Sequence, residues 1–113
     1  MVEIKPLVRC DAVVNIPGSK SYTHRALIIS ALADGDSILI NPLQSEDTEY
    51  TLQALRKFGV PIFWEGDSIR VHGKAGKLQA TDEKIYVGNS GTSMRFLTAL
   101  AALKNGYTLL DGS

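Results

Sequence analysis

Apolar runs separated by short polar turns divide the first part of the chain into strand, helix and strand. The β-branched run over residues 10–16 predicts a strand that ends at Pro17-Gly18. Residues 21–33 are apolar on nearly every helical face, which predicts a buried helix. Residues 37–40 are apolar and predict a second strand, so the chain opens with a β-α-β pattern.

A second helix and a hairpin are expected next. Acidic residues follow Ser45, as the dipole of a helix beginning near Ser45 or Glu46 prefers, and Gly59 lies where a C-terminal cap belongs. Residues 60–64 and 68–72 flank a turn of Glu, Gly and Asp. This arrangement predicts an antiparallel hairpin.

The last third of the chain repeats the β-α-β pattern. We expect a strand over residues 85–87, a helix over residues 93–104 and a strand over residues 107–110. The full order, β-α-β-α-β-β and then β-α-β, is typical of the α/β class. Because the first strand has no local partner and the chain stops just after its last strand, we expect a piece of a larger fold.

The composition narrows the possible functions. The 113 residues are 44% hydrophobic and 21% charged, and 12 basic residues balance 12 acidic ones. Without a basic field or a long apolar run, neither nucleic acid nor a membrane is an expected partner. Cys10 is the only cysteine, and His24 and His72 are isolated, so we expect no disulfide and no metal site. No leader is visible, and we expect a cytoplasmic protein.

The first turn, Pro17-Gly18-Ser19-Lys20-Ser21, leads into an apolar helix and carries cations. Unpaired N–H groups at the start of a helix bind anions. Ser21 and Arg25 lie one helical turn apart, and with Lys20 they can bind one phosphate. An unpaired Arg25 in an apolar helix would be costly, which favours a ligand over a solvated cation. The spacing does not fit a P-loop, because Ser19 separates the glycine from the lysine.

The second turn, Gly88-Asn89-Ser90-Gly91-Thr92, has the same character and is followed by Arg95. Gly88 and Gly91 permit backbone conformations closed to other residues and let a ligand approach the main chain. Asn89 and Thr92 add side-chain donors, and Arg95 follows Gly91 by one helical turn. Two such turns predict a cleft for phosphates or carboxylates.

Both turns also carry a family resemblance. Residues 17–26 resemble the first signature of 5-enolpyruvylshikimate-3-phosphate synthases, and residues 88–95 resemble the second. The likeness continues through residues 45–47 and 109–113, so it covers essentially the whole chain. Phe96 departs from the pattern, since many members have proline there, but this change affects helix packing more than ligand contacts.

The resemblance implies a transferase of the shikimate pathway, which synthesises aromatic amino acids. It would move the enolpyruvyl group of phosphoenolpyruvate to the 5-hydroxyl of shikimate 3-phosphate and release phosphate. The family needs no metal or organic cofactor. By resemblance, Lys20, Ser21 and Arg25 bind shikimate 3-phosphate, and Lys20 is also the catalytic residue that reaches phosphoenolpyruvate.

The same resemblance assigns a phosphoenolpyruvate pocket to the second turn. Asn89, Gly91 and Thr92 would shape this pocket, together with Lys20, and Arg95 would support it. Glyphosate is the family's known inhibitor of the phosphoenolpyruvate site. The general acid and base would lie outside this chain.

The family fold is a two-domain inside-out α/β barrel built from βαβαββ units. By resemblance, residues 1–17 are a strand segment of the opposite domain. Residues 18–113 would be part of a substrate-binding domain, with the first unit and part of the next. The remaining C-terminal portion, in cis or as a separate chain, is therefore an expected partner.

Two alternatives stay open. One is the cell-wall relative that transfers enolpyruvyl to UDP-N-acetylglucosamine, although its first signature usually has asparagine where this chain has Ser21. The other is a non-catalytic anion-binding fragment that keeps the turns without the chemistry.

Overall fold

The structure, a computed structural model, describes residues 1–113 and contains three helices and five strands. None of the three helices has the length and apolar character needed to span a bilayer. The mixed composition of elements confirms the α/β class. In chain order the elements are α1 (Lys20–Leu32), β1 (Asp34–Ile40), α2 (Glu46–Lys57), β2 (Ile62–Glu65), β3 (Ser68–Lys74), β4 (Ile85–Tyr86), α3 (Gly91–Ala101) and β5 (Leu110–Asp111).

A three-stranded antiparallel sheet forms one layer, in the order β1-β3-β2. The predicted hairpin of β2 and β3 is confirmed, with Glu65 opposite Ser68 across a two-residue turn. Alternation in β3 places Ile69 and Val71 in the core, whereas Arg70 between them is only half-buried. The sheet therefore presents one apolar face to the helices.

The helices cover that face, and α2 packs against both α1 and α3. The predicted bounds of α2 are confirmed, because Ser45 is its N-cap and Gly59, with φ +83°, follows its last turn. A separate parallel pair joins β4 to β5. The buried apolar cluster consists of Leu27, Ala31, Leu52, Ala54, Leu55, Phe58, Val60, Ile62, Ile69, Val71, Ile85, Val87, Leu97 and Leu100.

The prediction of a strand over residues 10–16 is wrong for this structure. Residues 1–17 are exposed throughout and contain neither helix nor strand. No other strand of the chain pairs with them, so their backbone groups have no ladder to join. Cys10 is likewise exposed.

The prediction that α1 is buried on nearly every face is also wrong. Tyr22 and Ile29 are 72% and 68% exposed, whereas Leu27 and Ala31 are fully buried. The reason is that α1 packs mainly against α2 and β3, which cover one side of it. The other side is left open in this chain.

Three predicted elements differ from the structure by three residues at one end. β1 begins three residues earlier than expected, because Asp34 pairs with Lys74. α3 spans Gly91–Ala101 instead of residues 93–104, since Ser90 caps it. β5 spans only Leu110–Asp111, the two residues that pair with β4.

Candidate functional site

The first turn is held in place at the start of α1. The Ser19 hydroxyl accepts a hydrogen bond from Tyr22 N–H at 3.3 Å. Thr23 donates to the Ser19 carbonyl at 2.8 Å and accepts from Leu43 N–H at 2.9 Å. A Cβ added to Gly18 would clash with the backbone carbonyl oxygen of Asn41 in the following loop, so only glycine fits there. The turn is therefore anchored to both its own helix and the loop before α2.

Lys20 projects from this turn and has a partner on the next helix. Its Nζ lies 3.1 Å from the Asp47 carboxylate, in the first turn of α2. The Lys20 side chain is 54% exposed and that of Asp47 is 32% exposed. An ammonium group has three donors, so Lys20 can bind an anion while Asp47 orients it.

Ser21 and Arg25 are both exposed on α1. The guanidinium of Arg25 lies 4.7 Å from the centre of the Tyr22 ring and forms no salt bridge. The expected burial cost of an unpaired Arg25 therefore does not arise, and that argument for a ligand is wrong. What remains is an accessible guanidinium one turn from Ser21.

The second turn is shaped around two different glycines. Gly88 is buried with φ +52°, and a Cβ there would lie 2.5 Å from the Tyr50 ring. Gly91, by contrast, is the first residue of α3 and does not adopt a positive φ. The prediction of a glycine-only conformation is confirmed for Gly88 and wrong for Gly91.

The ligand-facing candidates of the second turn are accessible. Asn89 and Arg95 are exposed and Thr92 is half-buried. The turn and the end of the chain, including Gly112 and Ser113, line an open cavity of about 250 Å³. A small anion could enter it from solvent.

Asp47 connects the two turns. Its carboxylate pairs with Lys20 at 3.1 Å, and its backbone carbonyl accepts a hydrogen bond from the Ser93 hydroxyl at 3.1 Å. The three helices therefore begin at one end of the domain, where their positive dipole ends favour anions. No side-chain hydrogen bond or ion pair joins the seven predicted site residues directly to one another.

His24 is the functional neighbour that sequence patterns missed. It is fully buried, and its Nδ1 lies 2.9 Å from the Thr51 hydroxyl. Burial lowers the pKa of His24, the Lys20 charge lowers it further, and Asp47 opposes both. His24 is therefore neutral at pH 7. Its partners lie too far along the chain for local spacing to reveal them.

This constellation can bind and orient anions. Lys20, Arg25 and Arg95 supply charge, and the starts of α1 and α3 supply backbone donors. No group of three or more His, Cys, Asp or Glu side chains is arranged to hold a metal ion.

Comparison with known proteins identifies the family. The sequence profile of EPSP synthase (3-phosphoshikimate 1-carboxyvinyltransferase) matches residues 4–113. The 3-phosphoshikimate 1-carboxyvinyltransferase of Methanothermobacter thermautotrophicus is 50% identical over 102 residues, which are 90% of this chain and 24% of that protein. The Nostoc punctiforme protein of the same name is 49% identical, over 98% of this chain and 27% of its own length.

A solved structure agrees with the sequence relatives. EPSP synthase from Acinetobacter baumannii superposes with a TM-score of 0.83 at 34% identity, covering 88% of this chain and 23% of that one. The fold is thus EPSP synthase-like. The chain spans about a quarter of the length of the curated relatives that it matches.

Proposed function

The chain belongs to the EPSP synthase family, and from that premise we propose that it supplies two anion-binding turns to a 3-phosphoshikimate 1-carboxyvinyltransferase. This enzyme would convert phosphoenolpyruvate and shikimate 3-phosphate to 5-enolpyruvylshikimate 3-phosphate and phosphate. The observation that carries the proposal is that both turns contact Asp47. Its carboxylate forms an ion pair with Lys20, and its backbone carbonyl accepts a hydrogen bond from the Ser93 hydroxyl. Both substrates are phosphorylated acids, as such a site requires.

Shikimate 3-phosphate is assigned to the first turn. Lys20, Ser21 and Arg25 offer an ammonium, a hydroxyl and a guanidinium, and all three are exposed. A guanidinium binds phosphate through two parallel hydrogen bonds, whereas an ammonium acts as a point charge. Three different donors within about one helical turn would fix the orientation of the substrate.

Phosphoenolpyruvate is assigned to the second turn. Asn89, Gly91 and Thr92 would line its pocket, and Arg95 would support it one helical turn further on. Lys20 would reach both anions, because its partner Asp47 belongs to the element between the two turns. Lys20 is therefore the catalytic residue of this proposal.

These residues would act by orientation and charge neutralisation. Holding two reactants in position removes much of the entropy barrier of a bimolecular reaction. Fixed cations stabilise charge that develops on the reacting oxygens and on the departing phosphate. Proton transfer would come from the remaining sequence, in cis or as a separate chain.

The assignment of residues to domains is part of the same proposal. Residues 1–17 would belong to the opposite domain, and residues 18–113 to one partial domain. Apolar side chains of residues 1–17 are exposed, among them Val13 at 95% and Ile16 at 75%. This exposure supports the proposal that the segment packs against the opposite domain. A cytoplasmic location and the lack of a cofactor also stay predictions.

The choice of acceptor tests the proposal. The assembled enzyme, meaning this chain with the remaining sequence of a full-length transferase, is supplied with phosphoenolpyruvate and either shikimate 3-phosphate or UDP-N-acetylglucosamine. We expect phosphate release and an enolpyruvyl product with shikimate 3-phosphate alone. Transfer to the UDP-sugar with a comparable kcat/KM would contradict the assignment, as would the absence of product with both acceptors.

A further inference from the structure

A buried chain of hydrogen bonds runs beneath the two turns. His24 Nδ1 lies 2.9 Å from the Thr51 hydroxyl, which lies 2.8 Å from the Ser93 hydroxyl. The Ser93 hydroxyl is also 2.7 Å from that of Ser90 and 3.1 Å from the Asp47 carbonyl. These hydrogen bonds thus connect α1, α2 and α3 within the first two turns of each helix.

With every contact of the Ser93 hydroxyl made as a hydrogen bond, the hydrogen count sets the direction of this network at Ser93. A hydroxyl has one hydrogen to donate and two lone pairs to accept with. The Asp47 carbonyl can only accept, so it takes the single hydrogen of Ser93. The hydroxyls of Thr51 and Ser90 must then both donate to Ser93, which is left with no spare hydrogen and no spare lone pair.

The direction carries over to His24. Because Thr51 donates to Ser93, it must accept from His24, and the hydrogen of the neutral ring lies on Nδ1. Nε2 is then a bare acceptor, and it is buried without a hydrogen-bond partner. The lowered pKa of His24 agrees with this neutral form, since a second ring hydrogen would be buried unpaired.

The two turns depend on this set of buried hydrogen bonds to different degrees. The first turn has separate support, because the Thr23 hydroxyl donates a hydrogen bond to the Ser19 carbonyl and accepts one from the Leu43 N–H. The second turn is joined to the start of α2 through Ser93, whose hydroxyl reaches the Asp47 carbonyl. A change at Ser93 should therefore shift the second turn and leave the first in place.

We propose that Ser93 is a positioning residue for the proposed transferase, fixing the second turn against Asp47 and hence against Lys20. The inference rests on the proposed function. Ser93 is fully buried, so it would act through the Ser90–Gly91 turn that it holds. Thr51, on α2, supports this role by donating a hydrogen bond to the Ser93 hydroxyl.

Steady-state kinetics of matched variants in the assembled enzyme test this role. Ser93→Ala should raise the KM for phosphoenolpyruvate about fivefold, the scale of coupling through a hydrogen-bonded network. The KM for shikimate 3-phosphate should stay within about twofold of the parent by the same reasoning. Ser30→Ala is the control, because Ser30 is a buried helical serine near the far end of α1.

A second variant covers the event that Ser93→Ala does not fold. Thr51→Val keeps the side-chain shape and removes one of the hydrogen bonds to Ser93, so we expect the same substrate split with a smaller change. Equal effects on both substrates would show that stability alone is affected and would overturn the proposal. So would indistinguishable kinetics of Ser30→Ala and Ser93→Ala.

A measurement that needs no activity separates this inference from the proposed function. The chain has only two histidines, so ¹⁵N-histidine labelling of the 113-residue protein gives signals that are simple to assign. At neutral pH, His24 should show a protonated Nδ1 and a bare Nε2, and Thr51→Val should weaken that preference. A protonated Nε2 in the parent would overturn the hydrogen-bond chain, whatever the assembled enzyme does with its substrates.

Discussion

Gly88 and Gly91 lie in one turn, but only Gly88 is required by the backbone conformation and by its neighbours. Gly88 needs to be glycine, because it has φ +52° and its Cβ would meet the Tyr50 ring. At Gly91 an added Cβ would meet only the flexible end of Arg95, with Nη1 at 3.7 Å. A methyl group at Gly91 therefore tests ligand contact without disturbing the fold.

We predict that Gly91→Ala in the assembled enzyme raises the KM for phosphoenolpyruvate at least about tenfold, because the added methyl group would take up space that the ligand needs in the proposed pocket. The affinity for shikimate 3-phosphate, bound at the first turn, should be nearly intact. Inhibition by glyphosate should weaken in parallel. Steady-state kinetics with each substrate varied in turn measure these effects.

Thermal melting gives the control for this variant. The midpoint should not fall for Gly91→Ala, since alanine is a better helix former than glycine. Gly88→Ala should lower the midpoint clearly, because it adds strain and a clash. Equal weakening of both substrates by Gly91→Ala at an unchanged midpoint would place Gly91 outside the pocket.

Lys20 gives the second prediction at the residue scale. Lys20→Met in the assembled enzyme deletes a charge that the proposal places between two anions, while the apolar stem can still pack. The loss should raise the transition-state barrier by about 2–4 kcal/mol and weaken both substrates. Kinetics within about threefold of the parent would contradict the assignment, because a catalytic charge contributes far more.

Lys57→Met is the matched control for Lys20→Met. Lys57 also projects from a helix and pairs with an acid, Glu83, at 3.0 Å. It lies at the last residue of α2, whereas Lys20 contacts the first turn of that helix. The control removes the same charge and one ion pair, and it should leave kcat and both KM values nearly unchanged.

At the scale of elements, local patterns were sufficient where local chemistry sets the boundary. Ser45 and Gly59 predict the ends of α2 because a cap and a left-handed residue are requirements of the helix itself. The hairpin of β2 and β3 is predicted for the same reason, by its turn residues. The expected strand over residues 10–16 was predicted wrongly, because no strand of this chain pairs with it.

The same division applies to the candidate site. Spacing along α1 and α3 finds the exposed groups of both turns, because helical periodicity is local. It does not find the pairing of Lys20 with Asp47 or of His24 with Thr51, each 27 residues apart. Those contacts depend on how the helices pack, which no short pattern encodes.

The pairing of β4 with β5 gives a prediction at this scale. Lys84 bonds Asp111 at 2.8 Å across these strands. The Lys84 hydrogen bond, assisted by the Gly112 N–H, lowers the pKa of Asp111 below its ordinary value of 3.8. The folded state therefore binds this proton less readily than the unfolded state. The stabilisation is present above the ordinary value and is lost as pH falls through it toward the lower folded pKa.

Denaturant unfolding at several pH values measures this effect. The difference in the free energy of unfolding between the parent and Asp111→Asn should shrink as the pH is lowered from about 6 to about 3. Asp82→Asn removes a carboxylate that forms no ion pair and serves as the control. A difference that is constant over this range would contradict the pairing.

At the scale of the whole molecule, the chain carries binding groups without their full surroundings. Its relatives are about four times as long, and its first 17 residues are exposed. In the proposed enzyme, Lys20, Arg25 and the two turns would supply orientation and charge, whereas no acid–base pair is positioned among them. Binding without turnover is the behaviour that this arrangement predicts.

Reconstitution of activity tests the central claim most directly, namely that these two turns form the anion site of an enolpyruvyl transferase. Phosphate release from phosphoenolpyruvate and shikimate 3-phosphate is measured for the verified 113-residue chain alone, and again with the remaining sequence in cis or as a separate chain. We predict no product from the chain alone, and product in the assembled enzyme that Lys20→Met removes and Lys57→Met preserves. Product from the chain alone, or turnover of the Lys20→Met enzyme within about threefold of the parent, would contradict the account.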